Sequence, residues 1–437
     1  MSTTFLLDTS PARSNYNDSN NPFRSISLRK LKAVLYTTET QSMSAAARQL
    51  GRSQSAITKS INEIEEKIGY KLFNRTSSGV STTIYGDALY ERLRSIRSLL
   101  NTAYNQYKAY HKSPAPLGQI PLFTMDISLN RIKMLVLLGR HKKISLVAAM
   151  LNITTRTIYL FVRELEMQLD LKIFELRPNS ELFATQYGDY LINRLNLVFA
   201  ELRFALEHID KLAGKQTGSI CIGTAGSTRP ALVPKALIQL LNNYPQIRAE
   251  TREAHITELL DELSRGEIDI IVTGTRAVEN AISGRNLDKD DFMVHHLFDD
   301  ELIVVAGAAH PLLEKQHLTY DDLRRQKWVL PIRSMPAGQL VKTILENLSI
   351  AAGVTKIGTN SIVVLRNLVI YGDYLALLSS HQTELERKQG LIAQLDIHIP
   401  NNKWPVCAVT RNNTQPSPAT SEFFKELDKV AQDYIDS

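Results

Sequence analysis

The stretch MSAAARQLGRSQSAITKSINEIEEKIGYKLFNRTSSGVSTTIYG, residues 43–86, decides how the rest of the chain is read. The small residues of SAAARQL (44–50) suit a short helix, Gly51-Arg52 suits a sharp turn, and Ser53 is placed to cap a longer helix running to Ile68. On that longer helix Ile57, Ile61, Ile64 and Ile68 recur at steps of four, three and four, so they share the face that meets a core. Gln54, Ser55, Thr58, Lys59 and Asn62 then point outward, short polar groups and one cation of the kind that touch base edges and phosphates. Two short helices joined by a tight turn form a helix-turn-helix, whose second helix fits the DNA major groove. Beyond Phe73, residues 75–83 read as a small hairpin, or wing, with Arg75 at its start and Gly79 at its tip. A small helical bundle with a solvated polar face would show the same spacing, so the pattern alone leaves both readings open.

Outward from this stretch, the chain repeats itself. Leu28, Ser44, Ala47, Leu50, Ile57, Glu63, Glu65, Lys71 and Phe73 return 101 positions later as Leu129, Ser145, Ala148, Leu151, Ile158, Glu164, Glu166, Lys172 and Phe174. After one inserted residue, Tyr85-Gly86-Asp87 returns as Tyr187-Gly188-Asp189. Between the copies SPAPLGQIP (113–121) has the composition of a linker. At 437 residues the chain is too long for one core, and two cysteines, Cys221 and Cys407, cannot build a disulfide framework. No apolar run approaches the ~18–20 residues of a membrane span, and the N-terminus lacks the pattern of a secretory signal, so a cytoplasmic location is expected. Charge is uneven: 15 Lys/Arg against 6 Asp/Glu over residues 24–112, 13 against 10 over 126–217, and 22 against 27 over 218–437. A basic front on a slightly acidic back suggests a polyanion-binding head on a body with another task.

With these features in view, residues 43–86 resemble the winged helix-turn-helix of LysR-type bacterial transcriptional regulators. The resemblance rests on the small residues of the second helix, the Ser53-Gln54 start, Glu65 and Gly69 at the helix exit, and Leu-Phe-x-Arg-Thr at 72–76. Ser55 stands where the family usually has Pro, and Lys59 where it has Arg. The resemblance implies double-stranded DNA as a partner, contacted by Ser53, Gln54, Ser55, Thr58, Lys59, Asn62 and Arg75.

Copy two keeps the core row, as Ile158, Val162, Leu165 and Leu169, but turns Thr155, Arg156, Tyr159, Leu160 and Arg163 outward. Leucine replaces the lysine, and Leu176 matches Arg75, with Arg177 beside it. Either this copy binds DNA with another preference through Arg156, Arg163 and Arg177, or it serves as a spacer and oligomerisation element. After each wing comes a heptad seam: Leu89, Leu93, Ile96, Leu100, Ala103, Tyr107 and Tyr110, then Leu191, Leu195, Val198, Leu202, Ala205, Ile209 and Leu212. The family resemblance implies that such helices pair two subunits, giving a homodimer or homotetramer.

From Gly218 the pattern changes to β–α alternation: a strand at 219–223, a Gly/Ser/Thr loop at 224–230, a helix to about Tyr244, and the run GEIDIIVTG at 266–274. Ligands of such sheets bind beyond strand C-termini, where Ser227, Thr228, Thr273 and Gly274 fall. Gly223 followed by Pro234, Tyr244-Pro245, Gly266-Glu267-Ile268-Asp269 and Ala309-His310-Pro311 make this part similar to the LysR-type effector domain, a two-lobed fold of the type 2 periplasmic-binding-protein kind. That resemblance implies a small-molecule effector, an organic or aromatic acid or a sugar, held between lobes by Ser227, Thr228, Ser334 and Gly338, with Ser361 also lining the cleft. Arg229 either pairs with an effector carboxylate or makes a surface ion pair, and helix capping alone would account for the hydroxyls.

Nothing assembles an enzyme. GTAGSTRP lacks the lysine of a phosphate-binding loop, adjacent His295 and His296 point to opposite faces of a strand, and Asp299-Asp300-Glu301 reads as a solvated turn. No metal or cofactor is called for. The expected architecture is multidomain α and α/β. A disordered tail (1–25) precedes two winged helix-turn-helix domains (26–86 and 126–187) with long helices (87–112 and 188–214) and a linker (113–125). Effector lobe I follows (218–302 and 409–437), with lobe II at 303–408. The expected function is a regulator of a catabolic or uptake operon, with RNA polymerase as a further partner. The alternative is a two-lobed binding protein or enzyme whose helical modules serve assembly.

Overall fold

Side-chain caps and apolar periodicity shape the front of the chain. The computed structural model describes residues 22–76, 79–111, 113–177, 181–225, 231–285, 289–332, 337–350, 355–412 and 414–436. Helices α1 (Leu28–Thr40), α2 (Met43–Gln49) and α3 (Gln54–Ile68) lead to a hairpin of β1 (Phe73–Thr76) and β2 (Gly79–Thr82), then to the long α4 (Ile84–Tyr110). The same order returns as α5 (Leu129–His141), α6 (Ile144–Leu151), α7 (Thr155–Leu169), β3 (Phe174–Arg177), β4 (Glu181–Ala184) and α8 (Gln186–Leu212).

The repeat extends to individual hydrogen bonds. Glu65 is buried, and its carboxylate accepts from the N–H groups of Leu72 and Phe73 at 2.9 and 3.4 Å and from the Lys71 ammonium at 2.6 Å. Glu166 does the same for Ile173, Phe174 and Lys172, at 3.0, 3.1 and 2.7 Å. One buried carboxylate thus pairs the donors that the chain exposes where helix gives way to wing. The glycine that opens each long helix is a steric necessity. A Cβ on Gly86 would lie 2.2 Å from the Leu72 carbonyl oxygen, and one on Gly188 2.1 Å from that of Ile173.

The seams are covered within the chain along most of their length, with Tyr110 and Leu212 at their ends exposed. Leu89, Leu93, Ile96 and Leu100 are buried in one continuous core together with Leu191, Leu195, Val198 and Leu202, and α4 packs on α8. The two helices run antiparallel, since Arg92 near the start of α4 pairs with Glu201 in the second half of α8 at 3.3 Å, while the Tyr187 hydroxyl in the first turn of α8 donates to the Ala103 carbonyl at 3.2 Å. A second subunit was the cover expected for these eight residues; the cover in the structure is the chain's own other copy. Heptad spacing requires that a stripe be buried, and a tandem repeat brings a matching stripe on the same polypeptide.

Two segments expected to be loose are built in. Phe23 and Ile26 are buried, and Pro22–Ser25 form a short 3₁₀ turn, so the end of the expected tail is structured, while residues 1–21 lie outside the described residues. In the linker, Ile120, Leu122, Phe123 and Met125 join the same core, and the Tyr104 hydroxyl donates to the Ala115 carbonyl at 3.1 Å. The prolines prevent a helix there, but the apolar residues after them pack.

The chain divides near Gly218 into two units, each described by itself. In the second, β5 (Gly218–Thr224), α9 (Leu232–Asn243), β6 (Ile247–Glu253), α10 (Ile256–Ser264), β7 (Ile270–Gly274) and α11 (Thr275–Arg285) precede the long β8 (Phe292–Gly307). Then come α12 (Tyr320–Arg324), β9 (Lys327–Pro331), α13 (Gly338–Asn347), β10 (Thr355–Thr359), α14 (Ile362–Tyr371), β11 (Tyr374–Ser379), α15 (Glu384–Lys388), β12 (Ile392–Gln394), β13 (Lys403–Arg411) and α16 (Pro418–Ile435). The strands are ordered β10-β9-β11-β8-β13-β7-β5-β6, with β12 also on β8. β8 is shared: Phe292 to Glu301 pair with β13, and Leu302 to Gly307 with β11 and β12. Two lobes result, joined through this strand. All of β13 pairs with β7 and the first half of β8, so residues 403–408 belong to the first lobe rather than the second. Asp299-Asp300-Glu301 is no solvated turn but part of β8. Asp300 is 4% exposed, accepts from the Ser379 hydroxyl, and lies 2.7 Å from His381 Nδ1.

Candidate nucleic-acid interface and effector site

The outward face of α3 is held by its own capping. The Ser53 hydroxyl accepts from the Ala56 N–H at 3.2 Å and lies 3.0 Å from the Ser55 hydroxyl. Thr58 is half-buried, donating to the Gln54 carbonyl at 3.0 Å and touching the Met43 sulfur at 3.4 Å. Gln54, Ser55, Lys59 and Asn62 are exposed, while Ile57, Ile61, Ile64 and Ile68 are buried. Together Gln54, Ser55, Thr58, Lys59 and Asn62 line a shallow concavity of about 600 Å³ with Glu63 and Glu66. The Lys30 ammonium, hydrogen-bonded to Glu63, holds that carboxyl below its ordinary range, so Glu63 stays ionised with its charge matched. Arg75, exposed on β1, is not part of this lining.

In the second module Arg156 and Arg163 are exposed and line a larger concavity, about 940 Å³, with Thr155, Tyr159, Leu160 and Lys172. The face is far more apolar: Tyr159 is 51% exposed, Leu160 57% and Leu176 63%. Leu146 and Met150 on α6 are exposed as well, an extension the sequence reading missed although the apolar run ISLVAAML carries it. Arg177 lies over the Phe183 ring at 4.1 Å, on the wing outside the concavity.

The effector residues are less fully placed. Ser227, Thr228, Arg229 and Ser334 lie outside the described residues. Thr273 is fully buried, and its hydroxyl donates to the Ala225 carbonyl at 3.0 Å. Gly274 lies tight against Trp404, whose ring a Cβ would meet at 2.2 Å. Gly338 is buried and opens α13, which has no side-chain cap. The Ser361 hydroxyl caps α14, accepting from the Val364 N–H at 3.3 Å. His295 and His296 turn to different neighbours, Thr410 at 3.1 Å and Asp299 at 3.7 Å. Among the described residues no His/Cys/Asp/Glu group could hold a metal ion, and no single helix is long and apolar enough to cross a membrane.

A capped helix with a polar outer row beside a small wing, followed by a two-lobed α/β unit, defines a DNA-binding protein fused to a ligand-binding domain. Comparison with known proteins gives the family. Residues 28–87 match the bacterial regulatory helix-turn-helix of the lysR family, and residues 213–432 match the LysR substrate binding domain. The chain belongs to the LysR family of DNA-binding transcriptional regulators and is not an enzyme. It is 26% identical over 403 residues to the HTH-type transcriptional regulator GalR of Pseudomonas putida, covering 90% of this chain and 94% of that one. To PcaQ of Agrobacterium fabrum it is 22% identical over 310 residues, 71% of this chain and 97% of that one. A solved full-length OxyR variant from Pseudomonas aeruginosa shares the fold at 20% identity and TM-score 0.51, covering 70% of this chain and 95% of that one. The helix-turn-helix family model matches the first module only.

Proposed function

We propose that the chain senses a small metabolite, an organic or aromatic acid or a sugar, between the lobes of its effector domain, and so controls an operon of catabolism or uptake in the bacterial cytoplasm. The observation that carries the DNA-reading half is the division of α3 into a buried isoleucine row and an exposed row of Gln54, Ser55, Lys59 and Asn62. Polar groups of this length reach base edges, and Lys59 adds a phosphate contact. Ser227, Thr228, Arg229, Ser334 and Gly338 are the effector contacts in this reading. Thr273 is fully buried with its hydroxyl turned to Ala225, whereas Ser361 only accepts an internal hydrogen bond and keeps its O–H to donate to the effector.

The second module is read as a second winged helix-turn-helix. Its support is the duplicated carboxylate arrangement of Glu65 and Glu166 and the same order of elements. Arg156, Arg163 and Arg177 give it a weaker and different DNA contact. An effector changes transcription by favouring one arrangement of the heads over another, which requires unequal affinity for the two arrangements. Gel shifts with fragments of the chain's own promoter region test the reading, with and without candidate acids and sugars. A specific complex that a metabolite alters supports it; a folded chain indifferent to every fragment at low salt refutes it.

A further inference from the structure

The pairing of α4 with α8 has consequences for what the chain recognises. We propose that one chain is by itself a complete two-headed reader, whose long-helix seam is closed internally and whose two unlike heads address two unlike half-sites. The inference rests on the reading of the second module as DNA-binding.

Three observations carry it. First, each long helix ends against the opposite module in a matching way: Lys215, just beyond α8, lies over the Tyr70 ring at 5.5 Å, and His111, just beyond α4, lies 3.3 Å from Asp170. Tyr70 and Asp170 both sit at the exits of the recognition-type helices, so the two modules are related by an approximate twofold within one chain. Second, from Ile120 onward the connection between the modules is packed rather than exposed. Ile120, Leu122, Phe123, Met125 and Ile127 lie in the shared core, and Lys32 on α1 pairs with Asp126 at 2.9 Å.

Third, the buried charges favour the mixed pair. Aligning Tyr85 with Tyr187 makes Arg194 the counterpart of Arg92 and Leu99 the counterpart of Glu201. Antiparallel pairing places Arg92 opposite Glu201. Two copies of α4 paired in that way would instead set Arg92 against Leu99, without the carboxylate. Burying a cation without its acid is strongly disfavoured, a repulsive element against the wrong partner. Two copies of α8 would keep Arg194 opposite Glu201 but leave the stripe of α4 uncovered. With that mixed pair closed inside one chain, association between chains would use another surface.

The heads differ in chemistry. Gln54 and Asn62 on α3 suit adenine edges and Lys59 a guanine or phosphate, whereas Tyr159 and Leu160 on α7 suit thymine methyl groups between the flanking Arg156 and Arg163. A symmetric dimer reads a palindrome; this pair reads a site without one.

The test uses the full chain with Lys71→Cys and Lys215→Cys, two exposed positions at the Tyr70 contact, and a short bismaleimide. Cys221 and Cys407 are buried and stay out of the reaction. The expected product is bridged internally and keeps the mass of one chain; a two-chain product, or none, would overturn the pairing. In parallel, duplexes are selected from a random pool. A non-palindromic site is expected, with Lys59→Ala removing protection of one half and Arg163→Ala of the other; a palindrome would overturn the unlike heads. Internal bridging by a chain that binds no duplex refutes the DNA reading and leaves the pairing intact. Two-chain bridging with DNA bound does the reverse.

Discussion

Replacing Glu201 with glutamine keeps the shape of the α4–α8 contact and removes one charge. Arg92 and Glu201 are 3% and 2% exposed, so the guanidinium faces its partner with almost no water to replace it. Removing one member of such a buried pair costs about 3–5 kcal/mol. For a unit of roughly 200 residues each kcal/mol lowers Tm by about 2–4 °C, so Glu201→Gln should lower the melting of the first unit by roughly 6–20 °C. Arg92→Leu combined with Glu201→Leu removes both members of the pair and should recover most of the loss, because buried ion pairs exchange for apolar pairs at little cost. Differential scanning calorimetry of the wild type, the single variant and the double variant measures both values. A loss under about 1 kcal/mol for Glu201→Gln, or a double variant as weak as the single, would refute the claim that this pair is desolvated between the two helices.

Two further outcomes follow from close contacts. Gly188→Ala should destabilise the first unit by about 1–3 kcal/mol, since its Cβ would lie 2.1 Å from a backbone oxygen that side-chain motion cannot relieve. Gly214→Ala, at φ 77 with nothing near its Cβ, should cost less in the same melting assay because it meets only backbone strain. Burial pushes the Cys407 thiol up to about 11, so in the native chain it should resist a thiol reagent at pH 8 and react once denaturant is added. Its raised value also means that its contribution to stability is complete below the unfolded thiol pKa and is lost as pH climbs toward 11. Native labelling of Cys407 at pH 8 would contradict the burial.

The parts of the molecule legible in sequence were those governed by periodicity. Ile57, Ile61, Ile64 and Ile68 announce a buried face because helical spacing and apolarity suffice to define one. What covers a buried face is a tertiary fact, and so the seam from Leu89 to Leu202 was readable as buried but not as internally paired. The role of Glu65 was equally hidden: its recurrence as Glu166 showed, but the N–H groups it satisfies belong to residues seven and eight positions on, brought back only by the fold. Asp300 misled because three consecutive acids suggest solvent, whereas this one is turned inward toward Ser379 and His381 from distant sequence. In the effector domain, hydroxyls that capping explains and hydroxyls that hold a ligand look alike in sequence. The structure gives Thr273 and Ser361 internal partners, while Ser227, Thr228 and Ser334 lie outside the described residues.

The central claim is that the polar row of α3 touches a double helix, and fluorescence anisotropy across a salt series tests it most directly. With duplexes from the chain's own promoter region, log affinity should fall linearly with log salt. Lys59→Ala should bind about tenfold more weakly, with a slope reduced by about 1. A folded chain that ignores duplex DNA at low ionic strength, or a Lys59→Ala protein indistinguishable from wild type, would contradict the account.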